Sequence, residues 1–219
     1  MAASTLTQEA LTTLEQLAVR RWCDDFYLAG SAGLSFYLDH REVRDLDLMS
    51  AGNRLASADR RDLLEDLLQV DARCQVETAR DGYLFVRTQD GTGVRFFYYP
   101  YPLVDPEDEL AGCAVASPAD LGLMKLGAII SRGTRRDFVD LYLLCRRLPL
   151  AELLARADEK FGHVRDFQLQ ALKGLADLSL TDGEPMPRTR EELDWREVES
   201  WVTAQVRDLG RAAVGLDQV

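Results

Sequence analysis

The chain has 219 residues, 47% of them hydrophobic and 29% charged, with a formal net charge of −11. That length suits one sizeable domain or two small ones and is enough to bury a real core. The acidic balance argues against broad, nonspecific nucleic-acid binding, which needs a positive surface. No apolar stretch is long enough to span a bilayer, and no charged start followed by an apolar run marks a signal peptide. A cytoplasmic protein without a membrane partner is therefore expected.

Thr5 or Thr7 is placed to cap a first helix that runs to about Val19, with Leu11, Leu14, Leu17 and Ala18 as its apolar stripe. Phe26-Tyr27-Leu28-Ala29 reads as a buried strand, broken by Gly30-Ser31, and Ala32 to Leu38 as a short helix. A second strand carries Asp45-Leu46-Asp47. Side chains two apart on a strand share a face, so Asp45 and Asp47 stand together while Leu46 and Leu48 go to the other side. Two ionised carboxylates so placed repel each other, and a divalent cation removes that cost. Mg²⁺ favours one or two carboxylates, with waters and substrate phosphates completing its octahedron. Gly30 lets a ligand approach the backbone closely, free N–H groups at a helix start attract phosphate, and Ser31 adds a hydroxyl. The stretch therefore points to a nucleoside triphosphate with a metal ion.

These residues resemble the nucleotidyltransferase-fold proteins of the abortive-infection type, the AbiEii/AbiGii toxin group. The resemblance is carried by Gly30-Ser31, His40-Arg41 and Asp45-Leu46-Asp47. It implies that Arg41 joins Gly30 and Ser31 in binding the nucleotide.

After a loose segment at Ala51-Gly52-Asn53, a helix begins at Ser57 with Leu63, Leu64, Leu67 and Leu68 facing inward. Three strands follow, Cys74 to Thr78, Tyr83 to Thr88 and Val94 to Tyr99, split by Asp81-Gly82 and Asp90-Gly91. Nucleotidyltransferases of this fold often carry a third carboxylate on a neighbouring strand. The last of these strands, Val94-Arg95-Phe96-Phe97-Tyr98-Tyr99-Pro100, has no acid, which weakens the case for two-metal chemistry. Asp105, Glu107, Asp108 and Glu109 are expected in the next loop, outside the site. The four cysteines, Cys23, Cys74, Cys113 and Cys145, form no Cys-x-x-Cys pair and read as buried thiols.

Ser117-Pro118-Ala119-Asp120 is a helix start, and the helix runs to about Ser131 with Lys125 beside Leu121, Met124 and Ala128. Arg132-Gly133 closes it and Thr134 opens the next, where Asp137 and Asp140 lie one turn apart on one side. The run from Lys125 through Asp137-Phe-Val-Asp140 to Tyr142 is the second, longer resemblance to the same family. A lysine is a suitable point-charge partner for a triphosphate, and Asp140 or Asp137 would either orient it or act as base on the attacking hydroxyl. Arg132, Arg135, Arg136, Arg146 and Arg147 cluster nearby. Beyond Leu148 the pattern is helical: Leu150 to Phe161, His163 to Leu178, and Trp195 to about Arg211 after a turn-rich linker.

The expected architecture is α+β. A nucleotidyltransferase-like mixed sheet flanked by helices occupies 1–116, and a helical region over 117–219 contributes Lys125 and Asp140 to the cleft. The expected chemistry is Mg²⁺-dependent transfer of a nucleotide from an NTP to an acceptor hydroxyl. The resemblance implies a toxin with a cognate antitoxin, tRNA or other RNA being the acceptor in some relatives. Two other readings fit the same residues. One is a degenerate relative that binds nucleotide or protein; the other is a transferase acting on a cationic small molecule.

Overall fold

Leu46, Leu48, Val94 and Phe96 are fully buried apolar residues on alternate positions of two adjacent strands, and the fold of the first part of the chain follows from covering them. The computed structural model describes residues 6–213. The chain divides between Ser117 and Pro118 into two units.

The first unit is built on a seven-stranded mixed sheet in the order β3-β4-β5-β2-β1-β7-β6. The strands are β1 (Tyr27–Ala29), β2 (Leu46–Ser50), β3 (Gln75–Arg80), β4 (Tyr83–Arg87), β5 (Gly93–Tyr98), β6 (Asp108–Leu110) and β7 (Cys113–Val115). β2 runs antiparallel to β1 and parallel to β5, so both of its neighbours are central strands. Helices α1 (Gln8–Ala18) and α3 (Ser57–Val70) contribute Leu14, Leu17, Leu63 and Leu67 to the same core as Leu28, Leu84, Val86 and Val115. Each such leucine gains about 1.5–3 kcal/mol by leaving water. Phe26 meets Phe96 edge to face within this core, at 5.3 Å between ring centroids.

Thr7 caps α1, its hydroxyl accepting from Ala10 N–H at 3.2 Å. The alternative cap, Thr5, lies outside the described residues. α2 (Gly30–Leu38) begins directly at Gly30, without the two-residue break expected from the sequence. In α3, Leu68 is 42% exposed rather than inward, because Leu63 and Leu67 already fill the core-facing stripe. Asp108 and Glu109 are on edge strand β6, not in a loop. Cys23 and Cys113 are buried and Cys74 and Cys145 half-buried, all as free thiols.

The second unit is helical: α4 (Pro118–Ser131), α5 (Arg135–Cys145), α6 (Leu150–Ala155), α7 (Ala157–Phe161), α8 (Phe167–Ala176) and α9 (Trp195–Ala213). The helix expected over Leu150 to Phe161 is interrupted at Arg156, and the next starts at Phe167 rather than His163. Asp194 caps α9 by accepting from Arg196 N–H at 3.0 Å. Phe138, Leu141, Leu144, Leu153 and Leu175 are fully or nearly fully buried. Among them sits an ion pair without solvent access, Lys160 to Asp120 at 2.8 Å. No helix among the described residues is long and apolar enough to cross a membrane.

Candidate active site

In the first unit the pleat of β2 does what the Asp-x-Asp spacing predicts. Leu46 and Leu48 enter the core, and Asp47 faces the other way, half-buried. Asp45 immediately precedes the strand. Ala29 pairs with Asp47 across β1 and β2, which puts Gly30 against the Asp47 carboxylate. A Cβ on Gly30 would lie 2.3 Å from Asp47 Oδ2, and Gly30 has φ +57°. Both the close approach and the left-handed backbone require glycine here. No N-cap side chain bonds the start of α2, which lies beside Asp47. The buried Arg41 guanidinium donates to Ser31 Oγ, and Ser35 Oγ donates to the Arg41 carbonyl at 3.1 Å. Arg41 therefore fixes the Ser31 hydroxyl at this helix start. Gly30, Ser31, Arg41, Asp45 and Asp47 are brought to one end of one sheet.

Sequence reasoning missed a sixth member. Arg95 on β5 is directly in register with Asp47 on β2. Its Nη2 donates to Asp45 Oδ2 at 2.7 Å and its Nη1 to Asp47 Oδ1 at 3.3 Å. The guanidinium lies 4.5 Å from the ring centroid of Phe85, its partner on β4. Burial works against the Arg95 charge, but its hydrogen bond to Asp45 and the charges of both aspartates outweigh it and raise its pKa above the ordinary value. The other Asp45 oxygen, Oδ1, accepts from Gly93 N–H at 3.2 Å, and a Cβ on Gly93 would lie 2.7 Å from it. So the neighbouring strand supplies a cation where a third carboxylate was sought. The acids of β6 stand three strand spacings from β2, about 14 Å away.

Among the described residues no three His, Cys, Asp or Glu side chains converge as a metal site. The Asp45–Asp47 pair suits one Mg²⁺ completed by substrate oxygens, and does not suit two ions without further protein ligands.

In the second unit Lys125 is buried rather than reaching water from its apolar stripe. Its Nζ meets Asp140 Oδ2 at 2.7 Å and Asp137 Oδ1 at 3.1 Å. The i, i+3 spacing on α5 is what points both carboxylates at one lysine. Asp137 also accepts from Arg132 at 2.9 and 3.0 Å and from the Thr134 hydroxyl at 2.6 Å. Burial pushes the Asp137 pKa up, but the Arg132 hydrogen bonds, the Lys125 charge and the Thr134 hydrogen bond outweigh it and hold the carboxyl well below its usual range. Thr134 thus spends its hydroxyl on Asp137 instead of capping α5. The basic cluster is also largely engaged: Arg132 with Asp137, Arg146 with Glu191 and Glu197, and Arg135 with the Thr181 carbonyl and the Trp195 ring.

A family model described as nucleotidyl transferase AbiEii toxin, type IV TA system, matches residues 98–200, which include Lys125, Asp137 and Asp140. An Aquifex aeolicus protein, aq_aa25, itself uncharacterised, is 30% identical over 210 residues, covering 93% of this chain and 97% of that protein. The chain belongs to the AbiEii nucleotidyltransferase family. A solved H. pylori structure, of a protein proposed to be a nucleotidyltransferase, is 15% identical with a TM-score of 0.56, covering 96% of this chain and 98% of that one. At that identity the likeness is one of fold, and it agrees with the mixed sheet and helical second part of this AbiEii nucleotidyltransferase.

Proposed function

We propose that this AbiEii nucleotidyltransferase moves a nucleoside monophosphate from an NTP to an acceptor hydroxyl, with one Mg²⁺ held by Asp45 and Asp47. The acceptor oxygen bonds to the α-phosphorus, the bond from that phosphorus to the β-phosphate oxygen breaks, and pyrophosphate leaves. The acceptor proton passes to solvent. The observation that carries this reading is the contact of Gly30 with Asp47 at the uncapped start of α2, with Asp45 tied to Asp47 through Arg95. Catalysis of this kind is mostly positioning and electrostatics, so few residues suffice.

The α2 N–H groups and Ser31 bind phosphate oxygens, and Arg41 positions Ser31. The ion would supply charge neutralisation on the triphosphate. Lys125 is 7% exposed and its charge is answered by Asp137 and Asp140 within the second unit, so it is not assigned to the phosphates. Asp137 and Asp140 orient Lys125 rather than serve as base; the support for this choice is their full burial and their shared bond to its ammonium. The type IV toxin–antitoxin description of the matching family model supports a toxin role with a cognate antitoxin; an RNA such as tRNA is the acceptor that the family resemblance implies.

The test is incubation of the chain with each α-labelled NTP and Mg²⁺, with and without total tRNA. Label transfer is expected with at least one NTP, falling at least about a hundredfold in Asp47→Ala. No transfer from any NTP would overturn the reading. Nucleotide binding without turnover would then stand in front, a reading that the Arg95 ion pairs already favour as the runner-up.

A further inference from the structure

The transferase reading leaves Arg95 without a task, although this side chain touches both candidate metal ligands. Its position follows from the fold: parallel pairing of β2 with β5 sets Arg95 opposite Asp47. Antiparallel pairing of β4 with β5 sets Phe85 beside it, and the guanidinium is held between that ring and the two carboxylates. Asp45 has both oxygens engaged, Oδ2 by Arg95 and Oδ1 by Gly93 N–H. The oxygens that a divalent ion needs therefore already carry a cation.

A free Mg²⁺ entering here must shed water reluctantly while a guanidinium stands on its ligands. Two aspartates and one arginine leave a net charge of only −1 to attract it. A metal–nucleotide complex changes both terms. It brings its own phosphate oxygens for the ion, and those phosphates offer the guanidinium a planar, bidentate partner.

We propose that Arg95 masks the Asp45–Asp47 pair against free divalent cations and, when a nucleoside triphosphate brings the ion, passes to the nucleotide's phosphates, so that metal binding depends on nucleotide. This inference rests on the reading of Asp45 and Asp47 as metal ligands and goes beyond it. Arg95 is thereby a positioning residue for the phosphates and the element that replaces a third carboxylate.

The test uses the full chain and Mn²⁺ as the probe, since carboxylate sites accept Mg²⁺ and Mn²⁺ alike. Mn²⁺ affinity is first measured by paramagnetic resonance titration without nucleotide. Affinity for the Mn²⁺ complex of a non-hydrolysable triphosphate is then measured by calorimetry. Arg95→Ala is expected to bind free Mn²⁺ about tenfold more tightly than wild type and the Mn²⁺–nucleotide complex about tenfold more weakly, within the usual range of coupling between ligands. These opposite signs are what a merely structural role would not produce. Arg95→Lys keeps the charge but loses the fork, and should shift both affinities severalfold in the same two directions; it serves if the alanine variant does not fold. Free Mn²⁺ affinity unchanged or weakened in the folded variant overturns the proposal. Neither titration reads label transfer, so a failure of the masking idea and a failure of the transferase reading are seen separately.

Discussion

The two units each hold one cation between two aspartates, and water reaches the two clusters very differently. Arg95 is 25% exposed, with Asp47 at 23% and Asp45 at 38%. Lys125 is 7% exposed, and Asp137 and Asp140 lie at 1% and 0%. A cation between two aspartates therefore has opposite energetics in the two units, and in the second Arg132 adds a further cation on Asp137. An ion pair at the surface exchanges partners at little cost, because water solvates whatever is left. A buried one cannot, because removing one member strands a charge in a poor solvent. The open cluster is the one suited to admit a ligand, and the closed one is suited to hold a lysine in a single orientation.

The largest expected effect lies in the closed cluster. Asp140→Ala should destabilise the protein by about 3–5 kcal/mol, the cost of leaving a buried lysine with reduced compensation. Guanidinium denaturation of wild type and variant measures it. The pair replacement Lys125→Met with Asp140→Leu should recover most of that loss, since apolar residues of similar volume often match a buried ion pair. A cost below about 1 kcal/mol for Asp140→Ala alone would place this cluster with the surface pairs.

What the sequence could and could not reveal divides along similar lines. Local signals were legible: the Thr7 cap, the strand-to-helix turn at Gly30, the three strands of the meander and the Asp194 cap of α9. So was the shared side of Asp137 and Asp140, because i, i+3 geometry is a property of the helix alone. Long-range pairing was not legible. β6 and β7 are three residues each and became strands only by pairing with one another and with β1. Arg95 escaped notice for the same reason. Alternation along β5 shows that Arg95 points away from Val94 and Phe96, but nothing local says that β5 lies beside β2 in the register that sets it opposite Asp47. A search for a countercharge to the acid pair, on an outward-facing position of a strand, was the available signal. The burial of Lys125 was also illegible, since its apolar neighbours on α4 fit a snorkelling lysine equally well until two carboxylates arrive from α5.

A smaller effect is expected in acid. The Asp137 carboxyl is held below its ordinary carboxylate value, so it contributes stability that is fully present above the unfolded value and lost as pH falls through the folded one. Below about pH 4 the wild type should lose stability more steeply than Asp137→Asn, which has no such proton to take up. Urea midpoints measured from pH 7 down to pH 3 test this. Parallel curves for the two proteins would mean that Arg132, Thr134 and Lys125 do not favour the charged form of Asp137.

The smallest effect on stability belongs to the side chain with the most to do in the open cluster. Arg95→Ala removes two ion pairs and the contact with Phe85, yet each partner is at least partly solvated. Pairs of this kind are worth about 0–1 kcal/mol, and the two carboxylates left behind can turn to water. The variant should therefore unfold within about 1 kcal/mol of wild type, and the difference should shrink further in added salt, which screens the repulsion between Asp45 and Asp47. Denaturant titration at low and high ionic strength measures both. A loss of several kcal/mol would mean that Arg95 is a structural clamp like Lys125 and that the two clusters do the same work. A loss near zero leaves its place between two aspartates to be explained by what the site binds rather than by what holds the sheet together.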